Sequence, residues 1–304
     1  MLSHLILPAL LATAEAPQAT APAPTPTPTP MAVPGAAGLE VLWTSTWDEA
    51  VEAARKIPNG RILVYFGDDG CGTCLRMEAL VVPSTSFFAF TRDKVPLYLK
   101  RSSAEGNRLA AKLRVREIPA WVVVTPELLV TGRQEGSTTQ MEWVQTFVEA
   151  EKGWAAYKKL LETETADPSD VKVVFEVARE SFTRGGDSLA EPRFTRLATD
   201  PHAPADLREQ SLAYLATIQL DAGRPDDAAT TLDRLLGVAK DPLLRQRAQL
   251  RRAEVEIARG RKDLAIGRLM AFKKEWPDSP LLPDAEKLLE ALKSGPFWTT
   301  ESPR

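Results

Sequence analysis

Cysteine and histidine are scarce in this sequence. Its 304 residues include two cysteines, Cys71 and Cys74, and two histidines, His4 and His202. A secreted disulfide scaffold spreads many cysteines along its chain, so this count excludes one. A structural zinc site needs a full tetrahedral ligand set, which a single cysteine pair and two distant histidines do not supply. No metal or cofactor is therefore expected. No apolar run approaches the roughly 20 residues that a membrane-spanning helix requires. An excess of basic residues is missing too. With a formal net charge of -3, the chain lacks the footprint of a nucleic-acid binder.

What is present suits a folded, two-domain protein. The chain is 44% hydrophobic and 26% charged, enough for a proper core, and its length exceeds one small α/β unit. Residues 1–16, MLSHLILPALLATAEA, combine an apolar run from Leu5 to Leu11 with Ala14-Glu15-Ala16. That is the small-x-small pattern of a signal-peptide cleavage site, although the segment before the run has His4 and no Lys or Arg. The expectation is an exported protein, periplasmic or secreted, whose mature chain begins near Pro17. No cysteine stands at the cleavage point to carry a lipid anchor. Residues 17–38 are rich in Pro, Ala and Thr and read as an extended spacer.

Residues 39–152 alternate in the α/β manner. Thr46 with Glu49 caps a helix to about Lys56, and Arg61 to Phe66 (RILVYF) reads as a buried strand. Cys71-Gly72-Thr73-Cys74 follows and opens a helix, LRMEALV. Val95 to Lys100 is a second strand, and Ser102 with Glu105 caps a helix to about Leu113. Ala120 to Thr125 and Leu128 to Thr131 form a strand pair around Pro126-Glu127. Thr139 with Glu142 caps a closing helix to about Lys152. Phe87, Phe88 and Phe90 cluster after the cysteine helix and read as core packing. Taken alone, a cysteine pair so closely spaced is a redox pair or a structural bridge.

The element order, the cysteine pair between strand and helix, and Ile118-Pro119 before the third strand resemble the thioredoxin superfamily over about 110 residues. The pieces ILVYFGDDGCGTCLRMEAL and AAKLRVREIPAWVVVTPELLV are most similar to its exported branch, represented by the C-terminal domain of the bacterial transmembrane disulfide reductase DsbD. The resemblance implies catalytic cysteines. Cys71, at the helix start, feels unsatisfied N–H groups and the positive helix end, which stabilise a thiolate nucleophile. Cys74, one turn deeper, is placed to break the mixed disulfide. The resemblance further implies a cis bond at Pro119, with Ile118 offering its backbone to an extended substrate strand. A redox-inert staple is the competing reading, but a loop of two residues is a poor entropic cross-link.

Three departures bear on mechanism. Gly70 stands where the family commonly has Trp, and Tyr65 where many relatives bury an acid. Glu78 is the substitute carboxylate, four residues after Cys74 and so on the same helix face, and it matches an acid of the DsbD-like domains. The alternative for Glu78 is an ordinary solvated helix glutamate. Asp68 and Asp69, just before Cys71, disfavour a further negative charge, and Arg76 offsets them only partly. Together these features predict a reducing pair.

Residues 153–294 read as helical, and 295–304 as a tail. Gly223 and Gly260 stand 37 apart, as do Ala216 and Ala253, Ala228 and Ala265, and Leu232 and Leu269. A degenerate copy fits Val171 to Pro201, with Gly186 at the turn, and Leu282 to Leu292 would close the stack. The pattern resembles tetratricopeptide repeats. The expected fold is thus an α/β thioredoxin-like domain followed by an all-α repeat domain. His202 reads as a solvated surface group. The expected function is an exported protein thiol–disulfide oxidoreductase, a reductase acting on protein thiols and disulfides. Its electrons would come from a membrane-embedded donor, and the repeats would dock a protein partner. A non-enzymatic interaction module with a structural disulfide, and a redox sensor signalling to the repeats, are the alternatives.

Overall fold

The structure, a computed structural model, describes residues 33–34 and 40–294. The expected leader 1–16, most of the spacer and the tail 295–304 lie outside the described residues. Inside the expected spacer, β1 (Val33–Pro34) pairs antiparallel with β2 (Glu40–Val41).

The first domain continues with α1 (Trp47–Arg55), β3 (Arg61–Gly67), α2 (Gly72–Val81), α3 (Thr85–Thr91) and β4 (Lys94–Lys100). It closes with α4 (Ala104–Lys112), β5 (Ala120–Val124), β6 (Val130–Glu135) and the start of α5 (Gln140–Ala166). The sheet order is β4-β3-β5-β6, with β3 parallel to β4 and antiparallel to β5, and β6 antiparallel to β5. Strand residues alternate between two cores, as the two-residue period of a strand requires. Ile62, Val64, Phe66 and Leu97 face α1 and α4, with Ala50, Ala54, Leu109 and Ala110 against them. Leu63, Tyr65, Trp121 and Val123 face α2, α3 and α5, with Met77, Phe87, Trp143 and Phe147 against them. This is the thioredoxin-like α/β fold.

Two local expectations are corrected. Ser103, not Ser102, caps α4: its Oγ accepts from Gly106 N–H at 3.0 Å, while Ser102 is held by Asp68. The strand expected at 128–131 runs instead from Val130 to Glu135, because Leu128 takes a left-handed turn at φ 67°. Phe87 and its neighbours lie on the helix α3, a run of aromatic and β-branched residues with weak intrinsic helix preference. Burial of Phe87 and the Ser84 cap hold it in place.

Helix α5 runs unbroken through residues 152 and 153, the expected junction. Its first half buries Trp143 and Phe147 on the sheet, and its second half buries Tyr157, whose hydroxyl lies 2.8 Å from Ser181 Oγ. Beyond it, α6 (Val171–Thr183) pairs with α7 (Asp187–Thr199), α8 (Ala205–Asp221) with α9 (Pro225–Val238), and α10 (Pro242–Ala258) with α11 (Lys262–Glu275). α12 (Leu282–Lys293) packs on α11 at the end of the array. Ala178, Ala216 and Ala253 on the first helices, and Ala190, Ala228 and Ala265 on the second, are buried where each pair crosses. The three turns place Gly185, Gly223 and Gly260 at φ 76°, 71° and 71°, a conformation that glycine adopts without a side-chain clash. Gly185, not Gly186, is therefore the turn glycine of the first pair. This is a tetratricopeptide-like helical repeat domain.

The two domains touch away from α5 as well. Val130 N–H of β6 donates to Arg184 C=O at 2.9 Å, and the Arg184 guanidinium donates to the carbonyls of Val130 (3.3 Å) and Gly153 (3.1 Å). Arg114 pairs with Asp221 of α8 at 3.0 Å.

Candidate functional site: the Cys71–Cys74 dithiol

The sheet register assembles the site. Phe66 pairs with Ala120 and Gly67 with Lys100, so the cysteine loop, the end of β4 and Ile118-Pro119 meet at one end of the sheet. Asp68 shapes the loop: its carboxylate accepts from Ser102 N–H at 2.9 Å and Ser102 Oγ at 2.7 Å. Those bonds, the hydroxyl first, hold its carboxyl below the usual carboxylate range. Asp69 pairs with Lys100 at 2.8 Å. Gly70 turns the chain at φ 76° into α2; open space surrounds it, so it is the backbone angle that requires glycine.

Cys71 is the N-cap of α2, and its Sγ accepts from Cys74 N–H at 3.1 Å. A sulfur held there sits against free N–H groups at the positive helix end, which favours its thiolate. Thr73 Oγ1 lies 3.3 Å from the same sulfur. Cys71 is half-buried and Cys74 is 1% exposed, so an incoming disulfide meets Cys71 first. The two are joined by a disulfide with their Cα atoms 5.2 Å apart.

Polar side chains gather beside Cys74. The buried Tyr65 hydroxyl donates to Cys74 C=O at 3.3 Å. The Tyr65 and Tyr98 rings lie 5.6 Å apart, level in the parallel register of β3 and β4, and Gly67 leaves room beside both. Glu78, half-buried on α2, lies close enough for its charge to act on both tyrosines. Burial raises its carboxyl above the usual range, and a hydrogen bond from Tyr65 partly opposes the shift. Burial, then the Glu78 charge, pushes Tyr65 far above an ordinary phenol. Tyr98 rises to about 12, through burial first and then the charges of Glu78, Asp69 and Asp68. Glu78 is thus no freely solvated helix glutamate. A carboxyl raised above its ordinary value suits a group that exchanges protons with a thiol.

The Ile118–Pro119 bond is cis. Pro119 is buried and its carbonyl accepts from Gly136 N–H at 2.9 Å, while the half-buried Ile118 makes no backbone hydrogen bond to a described residue. The two cysteines and Glu78 share α2, and Ile118 and Pro119 sit on the adjoining loop at the same sheet end. Sequence reasoning missed Tyr98 and Ser102. The signal for Tyr98 was a tyrosine two residues before the end of each of two adjacent strands. Arg76 is exposed on α2. Among the described residues, no group of three or more His, Cys, Asp and Glu is arranged to hold a metal ion. No described helix is long and apolar enough to cross a membrane.

No protein-family model matches the chain, and no curated protein matches its sequence. Two solved structures resemble its two parts. A thioredoxin from Thermus thermophilus is 23% identical, covering 37% of this chain and 86% of its own, with a TM-score of 0.32. A thermophilic TPR protein, also from Thermus thermophilus, is 13% identical, covering 49% of this chain and 94% of its own, with a TM-score of 0.26.

Proposed function

We propose that the protein is an exported protein thiol–disulfide oxidoreductase working as a reductase, related to the DsbD-type branch of the thioredoxin superfamily. The observation that carries this reading is the division of labour at α2. Cys71 caps the helix with its sulfur within reach, while Cys74 is buried on the helix that carries Glu78.

In the reduced enzyme the Cys71 thiolate attacks one sulfur of a substrate disulfide, forming a mixed disulfide and releasing the first substrate thiol. Glu78 takes the Cys74 proton. The Cys74 thiolate then attacks Cys71 Sγ, expelling the second substrate thiolate, which takes up a proton. Two electrons pass to the substrate, and the enzyme is left with the Cys71–Cys74 disulfide. A dithiol donor regenerates it, and for a periplasmic or secreted enzyme that donor is membrane-embedded.

The repeat domain serves in this reading as the partner-holding module. A groove of about 640 Å³ is lined by α8, α9, α10 and α12, with Tyr214, Leu235 and Leu288 among its apolar lining and Arg247 and Lys287 among its charges. A sensor in which thiol state is passed to the repeats is the second reading. The Arg114–Asp221 and Val130–Arg184 contacts between the domains favour it.

Insulin reduction by the purified protein tests the enzyme reading. Turnover that disappears in a Cys71→Ser, Cys74→Ser double variant supports it; wild-type turnover no higher than the double variant's overturns it. N-terminal sequencing of the mature protein tests export: a start near Pro17 supports it, and Met1 contradicts it.

A further inference from the structure

Residues 113–117 link α4 to Ile118-Pro119 with no strand or helix of their own, yet β6 grips them along their length. Arg133 donates through Nη2 to Leu113 C=O and through Nη1 to Arg114 C=O at 3.3 Å. The same Nη1 donates to Glu135 Oε1 at 3.0 Å. The other oxygen of Glu135 accepts from Arg116 N–H at 2.9 Å and Glu117 N–H at 3.4 Å. Arg133 and Glu135 are two residues apart on β6 and so share a face, and Glu135 is paired with Ala120, the residue after Pro119. One residue further on, Gly136 fixes the Pro119 carbonyl.

The consequence falls on Ile118. The Glu117 N–H before it is held by Glu135 and the Pro119 C=O after it by Gly136, while its own N–H and C=O are left unbonded within the described structure. We infer that the Arg133–Glu135 pair is a positioning device for the redox reaction. It holds Ile118 so that this free N–H and C=O can pair with the extended backbone of a protein disulfide. The inference rests on the oxidoreductase reading above. Neither residue touches the sulfurs, so the pair acts on substrates that present a peptide strand. Small disulfides, which need only reach Cys71, do not depend on it. The geometry thereby assigns a preference for protein disulfides to two residues distant in sequence from the cysteines. Asp221 of α8 reaches the same loop through Arg114, so the repeat domain borders this device.

The test compares two substrates, insulin and the strandless dialkyl disulfide bis(2-hydroxyethyl) disulfide, with dithiothreitol as reductant and the slow uncatalysed exchange subtracted. Charge-assisted hydrogen bonds of this kind, once lost, correspond to about a tenfold change. Glu135→Ala is expected to raise KM for insulin by about that factor. Its kcat/KM for the small disulfide and its rate of Cys71 alkylation should stay at wild-type values. Glu135→Gln, which keeps an oxygen for the loop N–H groups, should recover part of the insulin KM. If Glu135→Ala does not fold, Glu135→Gln and Arg133→Lys carry the same comparison, each with a smaller rise. An unchanged insulin KM, or equal losses with both substrates, overturns the positioning role. A wild type inactive on both substrates overturns the oxidoreductase reading itself and this inference with it.

Discussion

The Tyr65 hydroxyl donates to the Cys74 carbonyl at 3.3 Å, on the strand position where the thioredoxin resemblance implies a buried acid. A neutral donor stands at that position, and the carboxyl proposed to serve Cys74 is Glu78 on the cysteine helix. The same hydroxyl, with one proton to share between that carbonyl and the Glu78 carboxylate, lowers the Glu78 carboxyl against the upward push of burial. The tyrosine thereby lowers the proton affinity of the carboxyl proposed to serve Cys74.

Replacing either residue should alter the pH profile in a defined direction. In Tyr65→Phe the bond that lowers Glu78 is gone, so its carboxyl rises further and the acidic limb of kcat moves to higher pH. Glu78→Gln removes that limb and slows resolution of the mixed disulfide by a factor on the order of 10², the usual loss for a general base. Stopped-flow reduction of insulin across pH checks both. An unshifted limb in Tyr65→Phe contradicts the coupling.

The same residue should leave a mark on stability. The folded protein binds a proton at Glu78 more tightly than the unfolded chain, because burial raises its carboxyl. In the window between the ordinary carboxylate value and the raised one, stability therefore falls as pH rises. Glu78→Gln is expected to melt higher than wild type at neutral pH and no higher well below that window. Thermal melts of the oxidised proteins at the two pH values read this directly, and an equal or lower neutral melting point counts against a desolvated Glu78.

Trapping distinguishes the two sulfurs. Cys74→Ser leaves the accessible nucleophile with nothing to resolve its mixed disulfide, so covalent partner complexes should accumulate. Cys71→Ser leaves only a buried thiol and should trap none. Non-reducing gels followed by mass analysis give the answer. A better trap in Cys71→Ser reverses the assignment.

In the repeat domain, Glu256 is 3% exposed and faces Arg261 at 2.9 Å, Arg268 at 3.6 Å, Arg259 at 3.7 Å and Arg252 at 4.0 Å. Glu256→Ala leaves these cations facing one another with the nearest carboxylates on α9. Removing one partner from a buried charge cluster costs about 3 kcal/mol or more. Chemical denaturation of the full chain, followed by helical circular dichroism, should show the repeats unfolding earlier in this variant. An unchanged midpoint contradicts the structural role of the cluster.

Much of this architecture was legible in the sequence because the signals were local. The Thr139–Glu142 capping box, the apolar run of β3 and the 37-residue spacing of Gly223 and Gly260 each specify their element within a few neighbours. Cys71 at a helix start followed from the strand before it and the periodicity after it. What escaped depends on pairing between distant segments. Ser102 reads as a cap in the sequence, but it is bound by Asp68 from another loop. Tyr98 reaches the site only through the parallel register of β3 with β4. Arg133 and Glu135 lie on a stretch whose polar TGRQE sequence does not read as a strand, and their partners are backbone groups of residues 113–117. Helix α3 likewise depends on burial of Phe87 rather than on its own composition.

The redox potential of the Cys71–Cys74 pair tests the central claim most directly. A strong oxidant stabilises its thiolate heavily. The N-terminus of α2 favours the Cys71 thiolate, but its first turn holds no basic residue, and Lys100 is engaged by Asp69. Equilibration with glutathione buffers, followed by alkylation and mass analysis, gives the value. A reductase should lie near the roughly -270 mV of thioredoxin. A potential above about -150 mV would place the protein among the oxidants and contradict the account.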